Sequence, residues 1–310
     1  MVHAGWRPYL ETCLRKAVES NPNGRVVLLG DDANAAIGVG EHYSIHDAFL
    51  QDDVAEFRAI YRHHSSQYFG FERFCLERWL VIRNFLRREG LTRCLAIDSD
   101  VLLFCDVPEE TARFQAYAMT FGWWDAVRRV PHCNFIQSRE ALDAFCRYLL
   151  DVYRDPQLLG LVKAANRKRL NRFWVSDMSL FGDWAARGAY PVGLLDDLLE
   201  QGVGYDARID DTRMFRPCGH LRGLLRQWKK IRFRDGLPHA FLRKDGRAVA
   251  MKCLHYHGQF KVLMERHARG VRDDWVVART LLRDKFQRLP AKLALFYGNY
   301  IAPHFRRRSL

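Results

Sequence analysis

Residues 1–30 read MVHAGWRPYLETCLRKAVESNPNGRVVLLG, and three structural signals follow one another in this stretch. A short apolar stub ends at Gly5, apolar residues then recur at the helical positions 10, 14, 17 and 18, and a nearly continuous apolar run ends at Gly30. The turn sequence Asn-Pro-Asn-Gly separates the helix from that run. Strand, helix and buried strand in this order predict a βαβ unit, which builds a parallel sheet with helices on its faces.

Strand and helix patterns continue along the chain. We expect elements at the following positions: a helix over 71–88, a strand over 91–104 that two aspartates interrupt, short strands over 115–122 and 134–137, and a helix over 140–153. Beyond Asp206 the strand signals weaken, and a loop-rich region is expected. The fold class is therefore α/β, with a mostly parallel central sheet and helices on both faces. Because the first stub is so short, the start of its strand is expected upstream of Met1.

Composition narrows the classes of protein. The chain has 310 residues and a formal charge of +13, which favours anionic partners such as nucleic acid, phosphorylated ligands or an acidic membrane surface. No apolar run reaches the roughly 18 residues of a spanning helix, and no secretory signal is visible. Eight scattered cysteines without a CxxC pair indicate reduced cysteines in the cytoplasm and argue against a zinc site or a disulfide framework.

The segment 94–104, CLAIDSDVLLF, places two carboxylates inside an apolar strand. Burying an unpaired carboxylate costs several kcal/mol, roughly, so Asp98 and Asp100 need a partner. Their spacing of two puts both on one face of a strand, and the small Ser99 leaves room for a ligand. A divalent cation that prefers oxygen ligands, Mg²⁺ or Mn²⁺, suits this pair at the carboxyl end of a strand. The alternative is a strand end whose acids lie in solvent and cap a turn.

A second cluster, LHYHGQFK, lies at residues 254–261. A neutral imidazole from His255 suits a metal shell, Gly258 lets backbone amides approach phosphate oxygens, and Lys261 supplies a positive charge. The spacing therefore favours a metal-bound phosphate. The alternative is a surface loop with hydrogen-bonded histidines.

Asp98-Ser99-Asp100, together with His255-x-x-Gly258-x-x-Lys261, resembles the motif pair of nucleotide-sugar glycosyltransferases with the GT-A fold. The resemblance is to the retaining family that includes bacterial lipopolysaccharide galactosyl- and glucosyltransferases and glycogenin, and it extends over about residues 2–265. It implies a Rossmann-like GT-A fold. It also implies that Asp98, Asp100 and His255 hold Mn²⁺ or Mg²⁺ on the diphosphate of a UDP-sugar, with Gly258 and Lys261 contacting that diphosphate.

Other positions take roles from the same resemblance. His3 and Gly5, at the tip of the first strand, would border the base and ribose, with Ser99 beside the donor. Arg78 resembles the family's arginine near the donor phosphate and sugar; the alternative is a solvated helix face.

The resemblance also implies two residues close to the reacting sugar. Asn134 resembles the asparagine that contacts the donor sugar, although Ile136 stands where that motif has glycine. Asp177 resembles the residue beside the reacting carbon, but Met178 replaces the adjacent glutamine, so retention or inversion of configuration stays open. Alternatively, Asp177 is the N-cap of a helix.

The expected function is therefore metal-dependent transfer of a hexose from a UDP-sugar to a glycan or glycolipid acceptor, in the cytoplasm and in the synthesis of bacterial surface polysaccharide such as lipopolysaccharide. A basic nucleic-acid-binding protein is one alternative, but the chain has no helix-turn-helix, zinc-finger or RNP motif, and no nucleic acid is expected. A metal-dependent phosphohydrolase that uses Asp98 and Asp100 is the other, and it would need further ligands close by.

The chain divides into a glycosyltransferase domain over residues 1–265 and a basic, amphipathic helical extension over 266–310. Apolar residues in the extension recur at 282, 286, 289 and 293, and basic residues fill the other faces. This pattern is typical of a helix that lies on anionic lipid, here at the inner face of the membrane. A helix that packs on the domain and leaves a basic face in solvent is the alternative.

Overall fold

The computed structural model describes residues 1–125, 128–170, 174–218 and 227–271, and residues 276, 279–285 and 287. The helices in these ranges are α1 (Pro8–Ser20), α2 (Val54–Ile60), α3 (Phe69–Arg88), α4 (Val107–Arg113), α5 (Arg139–Arg154), α6 (Pro156–Leu170), α7 (Asp177–Ala186) and α8 (Met264–Ala268). The strands are β1 (Val27–Gly30), β2 (Glu41–Ser44), β3 (Cys94–Ile97), β4 (Val101–Leu103), β5 (Met119–Trp123), β6 (Arg129–Val130), β7 (Cys133–Ile136), β8 (Val192–Leu194), β9 (Val203–Tyr205), β10 (Arg232–Arg234), β11 (Leu237–Phe241) and β12 (Ala248–His255).

The predicted βαβ unit at the start of the chain is confirmed. Val2 forms a parallel bridge with Leu29 of β1, α1 connects the two segments, and β1 pairs in parallel with β2. Leu10 and Leu14 of α1 pack with Leu28 in one small cluster. The helical spacing of Leu10 and Leu14 thus places both side chains on the face of α1 that packs against the buried strand β1.

Two larger sheets meet at the segment between β3 and β4. In one sheet β3 pairs with β7, β7 pairs with β5, and β5 also pairs with β6 and β8. In the other sheet β10, β11, β12 and β4 follow one another, and β9 pairs with β12 on the side. The register of the second sheet places His255 opposite Val101. This pairing brings the end of β12 next to the residues that precede β4.

The prediction of a mostly parallel sheet is wrong. Three of the nine strand pairings in the described residues are parallel, namely β1 with β2, β8 with β5, and β9 with β12. Short connections explain the antiparallel pairs of β5 with β6, β10 with β11 and β11 with β12, because a parallel pair needs a long crossover. The antiparallel pairs of β3 with β7 and of β12 with β4 join segments that are distant in the sequence. Asp235 and Gly236, with φ of 49° and 78°, form the two-residue turn between β10 and β11. The loop-rich region expected beyond Asp206 therefore contains a meander of strands.

The sheet that contains β7 is covered by helices on one face, as the sequence predicted, and on the other face mainly by strands of the second sheet. Ile136 packs in a cluster with residues of α3, α5 and α7, whereas Cys133 and Phe135 pack on the opposite side with Phe114. Alternation of side chains along the strand separates the two clusters. The fold is thus a mixed α/β arrangement of several sheets.

The predicted extension over 266–310 lies mostly outside the described residues, and so do most positions of its amphipathic pattern. Within the described part, Leu281 is buried in the cluster that also contains Phe233 and Met264. No helix in the described ranges has the length and apolar character needed to cross a bilayer.

Candidate metal centre and active site

Asp98-Ser99-Asp100 forms the turn between β3 and β4, where the chain passes from one sheet to the other. The main-chain N–H of Asp98 donates to the carbonyl of His132 (2.9 Å), and that of Val101 donates to the carbonyl of Asp98 (3.1 Å). The expectation that strand alternation puts both carboxylates on one face is therefore wrong. The turn itself brings them together, just beyond the carboxyl end of β3.

The side chains of Asp98, Asp100 and His255 converge. One ligand atom from each lies within 4.8 Å of the others, and the three form the one group of its kind in the described part of the chain. His255 Nε2 lies 3.2 Å from Asp100 Oδ1. His255 Nδ1 lies 2.6 Å from the carbonyl of Ala207, to which it donates its proton. This contact fixes the ring so that Nε2 faces the carboxylates, as in metal-binding histidines.

Two basic side chains neutralise the aspartates. The guanidinium of Arg78 forms an ion pair with Asp98 and a second one with Asp177 (Nη2 to Oδ2, 2.9 Å). Lys261 Nζ lies 2.8 Å from Asp100 Oδ2 and donates to the hydroxyl of Tyr9 (3.3 Å). The side chain of Arg78 is 14% exposed, so its alternative placement on a solvated helix face is wrong.

The charge states follow from these contacts. Burial alone would raise the pKa of Asp100, but His255 and then Lys261 outweigh burial and hold that pKa below its usual value. Burial lowers the pKa of His255, and the carboxylate of Asp100, followed by Asp98, outweighs burial and raises the pKa to about 9. Because a metal needs the neutral imidazole, cation binding here would release a proton.

Asp177 is not a helix cap, contrary to the alternative. Ser176 is the N-cap of α7: its hydroxyl accepts from the N–H of Ser179 (3.3 Å), and the hydroxyl of Ser179 accepts from the N–H of Ser176. The carboxylate of Asp177 instead reaches Arg78 and lies 3.4 Å from the indole N–H of Trp79. Burial raises its pKa, against the opposing effect of Arg78. Arg78 therefore links Asp177 to the aspartate cluster.

Asn134 lies on β7 opposite Ala96 of β3, close to the Asp-Ser-Asp turn. Its side chain is completely buried, and neither amide atom has a hydrogen-bond partner among the described residues. An unpaired buried amide is unfavourable, so a polar partner is expected when the site is filled. Since the amide is covered in this structure, a sugar contact requires neighbouring groups to move.

The tip of the first strand and the chain at Gly258 leave open space beside the backbone. The N–H of Gly5 donates to Asp31 (2.6 Å), and Asn34 donates to the carbonyls of His3 and Gly5. Gly5 and Gly258 have φ of 78° and 58°, and a Cβ at either would meet no atom within 4 Å. Both glycines thus have a backbone conformation that other residues rarely adopt, and both have open space beside them. Burial and then Lys261 lower the pKa of His3, which places its ring near the cluster.

Sequence reasoning missed the residues that support His255 from behind. Asp206 accepts from the main-chain N–H of His255 (3.0 Å) and forms a buried ion pair with Lys229. Asp206 follows a strand directly, as Asp98 does, and this similarity was the available signal. His132, also missed, stacks on His255 with ring centroids 5.2 Å apart.

Glu72 was missed as well. It lies in the first turn of α3, is buried, and accepts from the hydroxyl of Ser65 (2.8 Å). Burial, followed by the charge of Asp177, raises its pKa to about 7. The helical spacing of residues 72, 76 and 79 was the signal that it faces inward with Leu76 and Trp79.

A cavity of about 320 Å³ lies on the other side of the His255 support. Trp123, Asp196, Ala207, Asp211 and Arg213 are among the residues that line it. The guanidinium of Arg213 lies 5.4 Å from the Trp123 ring centroid and pairs with Asp211. Ala207 belongs both to this wall and to the contact that orients His255, so cavity and cluster adjoin.

The donor set fits Mn²⁺ or Mg²⁺. Two carboxylates and one oriented imidazole suit such an ion, and the flexible basic side chains that now neutralise the carboxylates can give way to it. No family model matches the chain, and the search of curated proteins gives no match either.

Proposed function

We propose that the protein is a metal-dependent glycosyltransferase that transfers a hexose from a UDP-sugar to a glycan or glycolipid acceptor of the bacterial cell surface. The observation that supports this most is the convergence of Asp98, Asp100, His255 and Lys261 from two distant segments onto one sheet edge. Such an edge is where open α/β folds bind nucleotide ligands. A divalent cation bound there supplies positive charge to the departing diphosphate.

The chain's own residues divide the remaining work. Asp98, Asp100 and His255 would hold the cation, while Lys261 turns from Asp100 to a diphosphate oxygen and adds charge stabilisation. Main-chain groups at Gly5 and Gly258 leave room for the nucleotide, with His3 near the base or ribose and Ser99 near the donor. Arg78 keeps the carboxylate of Asp177 oriented beside the transferred sugar.

The acceptor is proposed to enter the cavity beside the cluster. Trp123 offers a flat apolar face for a sugar ring, and Asp196 and Asp211 offer hydrogen-bond acceptors for its hydroxyls. Binding an acceptor there also removes water that would otherwise hydrolyse the donor. This role predicts that Trp123→Ala raises the KM for the acceptor and leaves donor hydrolysis unchanged.

Release of UDP from a panel of UDP-hexoses, with and without Mn²⁺, tests the proposal. We expect release that requires the metal, stops with chelator and speeds up with a glycan acceptor. Stabilisation against heat by UDP with Mn²⁺, but not by oligonucleotides, would separate transfer from nucleic-acid binding. Hydrolysis of a phosphate monoester without UDP release would instead indicate a phosphohydrolase and contradict the proposal.

A further inference from the structure

Three neighbouring aromatic side chains at the start of α3 stand out from the surface, and we name them the aromatic tip. Tyr68 is 80% exposed, Phe71 57% and Phe69 47%. Phe69 anchors the group, because its ring lies 5.4 Å from the ring of Tyr61 and 5.4 Å from the guanidinium of Arg73. Single exposed aromatics are ordinary, but three exposed aromatics within the four residues 68–71 favour an interaction surface.

The tip is convex. A side chain that is 80% exposed, as Tyr68 is, projects into solvent and cannot form the wall of a concave site for a soluble sugar. Amphipathic tyrosine and apolar phenylalanine side by side are instead the composition found where proteins contact the polar boundary of a bilayer.

Positive charge flanks the tip. Arg62 is exposed, and its guanidinium donates to the main-chain carbonyl of Tyr61 (3.2 Å). Lys163 of α6 lies close enough to His64 to lower the pKa of that imidazole, second to burial. Neither Arg62 nor Lys163 forms an ion pair with any described residue, so both charges remain available to an external anion. The whole chain adds a formal charge of +13.

We propose that the aromatic tip inserts into the headgroup boundary of an anionic lipid bilayer, with Arg62 and Lys163 facing the lipid phosphates. Apolar insertion supplies the affinity, and the two cations supply the preference for anionic lipid. This surface is separate from the extension over 266–310, for which the sequence suggested membrane contact.

Docking would also orient the candidate site. Helix α3 carries the tip at its start, Glu72 in its first turn and Arg78 two turns further on. A bilayer at the tip therefore lies at the end of the helix that reaches the aspartate cluster through Arg78. This orientation rests on the proposed function, whereas the binding to lipid does not.

Sedimentation of the full chain with sucrose-loaded vesicles, without nucleotide or metal, tests the binding. Vesicles of phosphatidylcholine alone are compared with vesicles that also contain phosphatidylglycerol. We expect Tyr68→Ser/Phe71→Ser to reduce partitioning onto the anionic vesicles by about tenfold. Arg62→Gln/Lys163→Gln is expected to reduce the preference for anionic vesicles several-fold, and salt should weaken binding of the native chain in the same way.

The matched control is Leu237→Ser, which removes a 37% exposed apolar side chain from β11 in the other large sheet. It should sediment like the native chain, and all variants should keep the native melting temperature. Native protein that stays in the supernatant, or a tip variant that sediments as well as the native chain, would overturn the proposal. UDP release measured on the same preparations reports on the proposed function separately, because that assay contains no lipid.

Discussion

Two lysine–carboxylate pairs lie on either side of His255, and they differ in their access to water. In the pair of Lys229 and Asp206, the side chains are 4% and 0% exposed. In the pair of Lys261 and Asp100, they are 29% and 12% exposed. Asp206 also accepts a main-chain hydrogen bond, whereas the second contact of Asp100 is with the imidazole of His255.

The difference separates support from ligand binding. The two charges of a buried ion pair stay together, because separating them leaves each charge unpaired in an environment of low polarisability, which is costly. A lysine at the edge of solvent can move to another anion at little cost, since water stabilises its charge meanwhile. The first pair therefore holds His255 in place, and the second can exchange its lysine for a cation.

The largest effect is expected from breaking the sealed pair. Lys229→Met leaves the carboxylate of Asp206 charged in the interior without its ion-pair partner, so the free energy of unfolding should fall by about 3–5 kcal/mol, measured by urea denaturation. Lys261→Met, the matched change in the open pair, should lower it by less than about 1 kcal/mol. Equal losses in the two variants would remove the distinction between the pairs.

Glu72 extends the comparison, because this buried carboxyl forms no ion pair and belongs to no candidate metal group within the described ranges. Its folded pKa of about 7 exceeds the ordinary value of 4.5, so the unfolded chain releases the proton first and stability falls as pH rises between those values. Glu72→Gln should remove this loss. Above pH ~7.5 the free energy of unfolding of the variant should therefore be higher than that of the native protein by up to about 3 kcal/mol, since a difference of one pKa unit corresponds to about 1.4 kcal/mol. Near pH ~4.5 or below the two proteins should agree; a constant difference at every pH would assign the effect to packing.

Asp100→Asn tests the open pair by activity. UDP release with Mn²⁺ should fall at least about a hundredfold, equivalent to about 2.7 kcal/mol, because a cation ligand is lost. The melting temperature should fall, because the ion pairs with His255 and Lys261 are lost, but the protein should stay folded at the assay temperature. The control Asp245→Asn changes an exposed carboxylate between β11 and β12 and should leave release unchanged. Unfolding of Asp100→Asn would place Asp100 with Asp206 as a structural residue.

The smallest effect is expected at Asp177, whose contact with the cluster among the described residues runs through its ion pair with Arg78. Asp177→Asn should lower kcat by about tenfold, or about 1.4 kcal/mol, and leave the affinity for UDP with Mn²⁺ unchanged. Asp183→Asn, in the same helix but bonded to Tyr148, serves as the control. A parallel loss of turnover and nucleotide affinity would instead make Asp177 part of the nucleotide site.

Local patterns predicted much of this molecule. The first βαβ unit, the long helix α3, the strands around Asp98 and the helix α5 all follow from apolar spacing. The aspartate and histidine motifs also marked the three side chains that the structure brings together. Each of these features depends on residues that are close in the sequence.

Other features depended on contacts between distant segments. Glu72 and Asp206 carry no motif, and their local signals, helical spacing for Glu72 and the place after a strand for Asp206, do not show what they face. Burial against residues far along the chain shows that. The antiparallel meander was a different failure, because the Asp235-Gly236 turn is a readable hairpin signal that the weak strands around it concealed. Asn134 was expected to contact a sugar, and only the packing of its neighbours shows that its amide is covered.

The amino-acid sequence by itself determined which side chains have the chemistry to hold a cation and a diphosphate. Side-chain chemistry is local, so it can be read before the chain folds, whereas the turn at Asp98-Ser99-Asp100 appears only in the structure. Only the tertiary structure decided which carboxylates would be sealed and which would remain open. Burial is set by strand register and by the packing of distant elements, and the pairing of Val101 with His255 is the contact that brings the two motifs together.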